Sequence, residues 1–253
     1  MMAQSLLKIL HSRKTLPLLF LITFLLVSVF KLPASLITIA GTPAGLKFNA
    51  AAGSVWQGRL SHVTFDGQYF ERLDFTLHPK SFFLGDPYGR FTLMGDTKNI
   101  SGHIGGRKEG AWSFPRIDIK SEISLPLANI RQKAILSIQG QNMMLKGRNS
   151  CIAGQMNAQA HFKTGPLAAL AGKEIIMTGQ GQCRDGGLYM NLASEDASLP
   201  LSLTAQMGKE GMETIVRLRK LTALNQNIAL QNMLRQNGFK ETDQYWLSQI
   251  PQE

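Results

Sequence analysis

Acidic residues are scarce in this 253-residue chain, 17 Asp and Glu against 27 Lys and Arg, and charged residues together make up only 17%. So little charge excludes a coiled coil, which is rich in Glu and Lys. Cysteine is nearly absent: Cys151 and Cys183 are the two in the chain, and without a C-x-x-C pair there is no signature of a thiol–disulfide enzyme. The five histidines (His11, His62, His78, His103 and His161) lie far apart, with no Cys or acid partner at metal-ligand spacing. No G-x-S-x-G elbow occurs, and the carboxylates are scattered apart from the adjacent pair Glu195 and Asp196. Gly102, Gly105, Gly106 and Gly110 are not followed by the helix and Lys-Ser pair of a phosphate loop, and a hairpin turn accounts for them better. We therefore expect no enzyme, no cofactor and no metal site. What the chain does have is 24 glycines, 10 prolines and 13 phenylalanines, the composition of an all-β protein.

The base excess is concentrated at the start. Lys8, Arg13, Lys14 and Lys31 fall within the first 31 residues with no acid among them. The milder excess elsewhere suits anionic surfaces such as lipid head groups and falls short of a nucleic-acid footprint. Directly after Lys14, residues Thr15 to Phe30 read TLPLLFLITFLLVSVF, sixteen without a charge. As a helix they span about 24 Å, short of the roughly 30 Å hydrocarbon core. A span over residues 15–35 becomes long enough if the Lys31 ammonium reaches up to the interface. A cleaved signal peptide is the competing reading, but no clean A-x-A site follows Phe30 closely. The positive-inside rule keeps residues 1–14 in the cytoplasm and exports residues 36–253. The expected localisation is thus the inner membrane, single-pass, with the main domain in the periplasm.

After Pro43 the pattern changes to short alternating runs such as SVWQGRLSHVTF, YFERLDFTLH, RFTLMG, RIDIKSEISL and AILSIQG, with glycine at the junctions. Ile117, Ile119, Ile123 and Leu125 alternate with Asp118, Lys120 and Ser124, the period of two that turns one face to a core; we place one register slip at Ser121–Glu122. Strand spacings near ten residues indicate antiparallel hairpins, since parallel neighbours need longer crossovers. The expected fold is mainly β, an antiparallel and curved sheet with one or two short helices. Pro166 to Ala171 can form a turn or two. Leu224, Ile228, Gln231 and Leu234 fall at helical spacing, with Gly238 just past their end, and Tyr245 to Ile250 reads as a last strand.

Export places both cysteines in an oxidising compartment, where a Cys151–Cys183 disulfide is the default and two separate buried thiols the alternative. Trp56, in Gly53-Ser54-Val55-Trp56-Gln57-Gly58, reads as a core residue on the first strand; the other reading is an anchor for a partner or for the membrane interface.

These residues also carry a resemblance. A basic tail, an apolar span, Gly53-x-Val55-Trp56-x-Gly58, then Leu73-x-Phe75-x-Leu77-x-Pro79 and Phe83-Leu84-Gly85 together resemble the type II secretion system protein N family. Phe75 stands where that family usually has tryptophan, and Phe82-Phe83-Leu84 replaces a leucine pair. Cys151 and Cys183, with Gly181 and Gly186 nearby, resemble the family's cysteine-bearing half. The resemblance implies an accessory inner-membrane component of a pathway exporting folded proteins from the periplasm through the outer membrane. Its partners would be other inner-membrane or periplasmic secretion components. The short W-x-G and L-x-W-x-L patterns also occur in AsmA-like envelope proteins that handle lipid, with Phe65, Phe75, Leu77, Phe91 and Leu93 as the residues that would line a greasy face.

Overall fold

The computed structural model describes residues 15–36, 45–65, 67–84, 88–108, 110–127, 130–146, 150–164, 168, 173–196, 200–208, 211–220, 228–236 and 238–250. Helix α1 (Thr15–Phe30) comes first. The strands follow: β1 (Leu46–Lys47), β2 (Ala50–Gly53), β3 (Gln57–Phe65) and β4 (Gln68–Leu77), then the single turn α2 (Pro79–Phe83). Next are β5 (Gly89–Met94), β6 (Lys98–Ile104), β7 (Arg107–Lys108), β8 (Ala111–Leu127), β9 (Ile130–Lys146) and β10 (Ser150–Phe162). The chain continues with β11 (Ile175–Arg184), β12 (Gly187–Ser194), β13 (Leu201–Gly208) and β14 (Gly211–Arg219). Helix α3 (Ile228–Gln236), β15 (Lys240–Glu241) and β16 (Tyr245–Ile250) complete it. The sixteen strands found among the described residues join one antiparallel sheet, which meanders in sequence order except that β2 and β7 are short side branches on β3 and β8 and that β16 lies between β14 and β15.

The two faces of this sheet differ because the period of two holds on nearly every strand. Along β10, Met156, Ala158, Ala160 and Phe162 are buried while Gln155, Asn157 and Gln159 are exposed. Partners directly opposite share a face, so rows of residues can be followed across the sheet. One row runs Arg59, Asp74, Thr92, Ser101, Asp118, Gln139, Asn157, Gln180, Asn191 and Thr204, all polar. The parallel inner row runs Leu60, Leu73, Leu93, Ile100, Ile119, Ile138, Ala158, Gly179, Leu192, Leu203 and Val216.

Next to it lies the row that bends the sheet: Gly58, Phe75, Phe91, Gly102, Ile117, Gly140, Met156, Gly181 and Met190. Each glycine takes a large neighbour over it. A Cβ at Gly58 would stand 2.6 Å from Phe75 Cζ, one at Gly140 2.6 Å from Ile117 Cγ2, and one at Gly181 2.6 Å from Met156 Cγ. Glycine inside a strand marks such close approach and a tight bend. The sheet rolls until β16 touches β8 without pairing to it.

The rolled half holds the main core. Ala134, Ala158 and Ala160 face Phe162, Met177, Leu192 and Trp246, with Leu234 of α3 and Phe239 in the same cluster. Small residues on β9 and β10 leave the room that Trp246, only 1% exposed, fills. The guanidinium of Arg235 lies 5.6 Å from the Trp246 ring centre and also donates to Glu241 at 2.8 Å. That bond, with a second from Lys220 at 2.9 Å, holds the Glu241 carboxyl below the usual carboxylate range. A smaller cluster of Leu60, Val63 and Phe70 serves the other half.

Several expectations are refined. The antiparallel curved sheet is present, and the last strand and the helix before Gly238 appear as β16 and α3. The stretch Pro166 to Ala171 lies almost wholly outside the described residues, as does Leu224. The alternation in β8 does not slip at Ser121–Glu122: pairing to β9 is continuous from Arg116 to Leu127, and Ser121 is a buried inward residue. Gly102 is not in a hairpin turn but inside β6. Among the described residues no helix is long and apolar enough to cross a membrane.

Because Gly140 is filled by Ile117 and Met143, whose Cγ would lie 3.0 Å from an added Cβ, Gly140→Val should destabilise by about 1–3 kcal/mol through overpacking. Its exposed neighbour on the polar face provides the contrast: Gln139→Thr should stay within about 0.5 kcal/mol. Denaturant unfolding of the two variants checks the assignment of faces.

Candidate docking site at the end of the first helix

Three hydrogen bonds join the end of α1 and the residues just after it to the β2–β3 connection. The Trp56 indole N–H donates to the Val29 carbonyl at 2.8 Å. The Val55 amide donates to Leu32 O and the Ala34 amide to Gly53 O, both at 2.9 Å, and Pro33 forms a bridge with Ser54. The last carbonyls of a helix have no partner further along it, and the Trp56 indole donates to one of them, while the other two bonds tie the segment after the helix to the loop. Ala34 is fully buried in this junction.

The motif Gly53-x-Val55-Trp56-x-Gly58 is explained by that geometry. Gly53 has φ +89°, and a Cβ there would meet Gln57 O at 2.5 Å, so a side chain would be strained. Gly58 lies beneath the Phe75 ring. Trp56 is therefore not a core residue on the first strand; it is half-buried in a loop. Only a side chain with an apolar body and an N–H can both pack there and cap the helix.

The second motif builds the same junction from below. Leu73 sits opposite Leu60 and Leu93, and Phe75 opposite Gly58 and Phe91. The Leu77 amide closes on the Trp56 carbonyl at 2.6 Å. Pro79 opens α2, a position where its missing N–H costs nothing. Of the residues considered for a greasy lining, Phe75 and Leu93 pack against the Leu60, Val63 and Phe70 cluster, Phe91 meets Phe114 edge-on at 6.3 Å, and Leu77 is half-buried. Phe65, 48% exposed, lies at the opposite end of the strands.

Beside the junction, on the polar face, an open groove of about 610 Å³ is lined by Gln57, Arg59, Asp74, Thr76, Arg90 and Thr92, among others. Arg59 at 2.7 Å and Arg72 at 2.9 Å both pair with Asp74, so its charge is already engaged. The Tyr88 ring lies between His78 and His103, at 5.4 and 5.7 Å. The groove offers donors and acceptors for a polar surface. Among the described residues no three of His, Cys, Asp and Glu gather as a metal site. Asp196 pairs with Lys173 at 2.9 Å and His161 with Glu174 at 2.7 Å; His11 lies outside the described residues.

Cys151 and Cys183 form a disulfide between the neighbouring strands β10 and β11, their Cα atoms 5.2 Å apart. It lies in a cluster with Met143, Met156, Phe114 and Leu188, where the pairing of β10 to β9 is irregular from Cys151 to Gln155. Sequence reasoning missed Val29, Leu32 and Ala34, whose role runs through backbone atoms and leaves no side-chain signal.

A family model described as "Type II secretion system (T2SS), protein N" matches residues 44–247. No curated protein and no solved structure matches the chain.

The disulfide closes 32 residues of chain, so Cys151→Ser should lower stability by about 3.5–4 kcal/mol in the loop-entropy model. Cys183→Ser should cost about as much as both changes together. Denaturant unfolding of the singles and the double tests this; additive losses would sink it. At the junction, Trp56→Phe keeps an aromatic body but loses the donor, a net change of about 1 kcal/mol. Amide exchange at Val55 and Ala34 should then quicken roughly fivefold, while the unfolding midpoint of the sheet stays in place. A loss of about 3–5 kcal/mol of global stability in Trp56→Ala would instead mark a core aromatic.

Proposed function

Since the chain belongs to the type II secretion system protein N family, we propose that it is an accessory inner-membrane component of that pathway, helping export folded proteins from the periplasm across the outer membrane. The family match over residues 44–247 carries this reading, because it takes in the sheet from β1 almost to its end. Helix α1 acts as the anchor, residues 1–14 stay in the cytoplasm, and the sheet stands in the periplasm. In support, α1 leaves Leu18, Phe20, Phe24 and Val27 more than half exposed, a surface that a hydrocarbon layer would cover. Basic residues lie just before it. The disulfide suits an oxidising compartment.

On this reading the sheet is a docking scaffold. Its outer face presents rows of Arg, Asp, Thr, Gln and Asn to other inner-membrane or periplasmic secretion components, and the clamp at Trp56 fixes how that face stands relative to the anchor. Polar side chains on a rigid sheet recognise a partner without costly reordering.

Deletion of the protein should leave secreted substrates in the periplasm. The full chain should restore their export, whereas a chain whose residues 1–36 are replaced by a cleavable signal peptide should not, although its disulfide-bonded domain accumulates. Unimpaired export in the deletion, with no secretion component co-purifying with the full chain, would overturn the proposal.

A further inference from the structure

The anchor-side end of the sheet carries a second feature. In an antiparallel meander alternate connections share one end, so the β2–β3 loop that holds α1 lies with α2 and Leu84 between β4 and β5, with the start of β8, and with the β9–β10 and β11–β12 connections. Three large apolar side chains are exposed there: Leu84 at 84%, Trp112 at 43% and Ile152 at 45%. Exposed Lys31, Lys80, Lys146 and Arg184 stand among them, Arg184 being paired to Asp185 at 3.3 Å.

Exposure alone does not single out this end, since Phe65 and Tyr69 are exposed at the other. The clamp on α1 does. If α1 leaves the hydrocarbon near Phe30, the Trp56 loop bonded to Val29 lies at the head groups. Neighbouring strands are about 4.8 Å apart, so α2 and the start of β8 lie within roughly 20 Å of that loop. Tryptophan and basic residues beside isolated apolar ones suit the head-group layer, where Trp is enriched and cations meet anionic lipid.

We propose that this rim of the sheet, through Leu84, Trp112 and Ile152 with Lys80 and Lys146, rests on the anionic lipid surface of the membrane that holds α1. The inference rests on the reading of α1 as an anchor. The sheet would then stand on the bilayer on two supports, the helix and the rim, with its polar face turned sideways to partners.

The test uses the full chain with its disulfide intact, in nanodiscs of phosphatidylcholine with and without phosphatidylglycerol. A fluorophore is placed at one of three new cysteines, Ile22→Cys, Leu84→Cys or Phe65→Cys, and quenched by spin-labelled lipid. Fluorescence should be lost at positions 22 and 84 but not at 65, the loss at 84 should be greater with phosphatidylglycerol, and Lys80→Glu with Lys146→Glu should remove that gain. Quenching at 22 with none at 84 beyond that at 65 would overturn the rim and leave the anchor standing. No quenching at 22 would overturn the anchor, and the rim with it.

Discussion

A side chain can lie flat across the next strand only where that strand has no Cβ in its path, and the row from Gly58 to Met190 uses this repeatedly. Phe75 lies over Gly58, Ile117 over Gly140, Met156 over Gly181. Each placement brings two strands closer on the inner face than the outer, where Arg, Asp, Gln and Asn keep their full size. A sheet shortened on one face rolls toward it. The roll lets Trp246, far along the chain, share a core with Ala134 and Ala158, and makes one core of what would otherwise be an open apolar surface. Gly58, first in the row, has a second duty: the absence of a side chain lets the Trp56 loop fold close enough to reach α1.

Stability is divided unevenly between the faces. Ion pairs on the outer face are exposed, Arg116 with Asp118 and Lys133 with Glu122 among them, and pairs of that kind contribute little. The inner face, with the disulfide, therefore carries most of the stability, and the polar rows contribute little to it. Sheet edges are a hazard of such an open design. Here the terminal strands β1 and β15 have two residues each, and Lys240 and Glu241 put charge on one of them. Pro33 and Ala34 cover part of β2. The edges are thus too short or too charged to invite another sheet.

Much of this was legible. Alternation marked the strands because one face is buried along nearly the whole sheet, and helical spacing ending at Gly238 marked α3, although of the residues that made the pattern Leu234 meets the core while Ile228 stays exposed. Glycine misled. In sequence Gly102 and Gly140 look like strand ends, since turns and bends use the same residue; only the cross-strand partner, 23 positions away for Ile117 and Gly140, tells them apart. Ser121 misled likewise, a small polar residue being admissible on a buried face when its neighbours are large. The two motifs were recognisable as patterns, but their meaning was not. Trp56 looked like core because a strand was assumed around it, and its partner is a carbonyl, which every residue possesses.

The clamp matters because of what a tether alone would allow. Were the fifteen residues between Phe30 and Leu46 a flexible link, their ends would wander roughly 20 Å apart, with no preferred orientation. On the anchor reading proposed above, a sheet on such a tether would meet a partner in every attitude, and fixing it would have to be offset by the binding itself. Hydrogen bonds from Trp56, Val55 and Ala34 set the attitude before any partner arrives. They form within the chain itself, so the cost of ordering falls on folding. The indole that caps a helix and the glycine that admits an aromatic ring are in this sense one device. The bend begins where the sheet meets its helix, and the polar face is turned by the same contacts that hold it there.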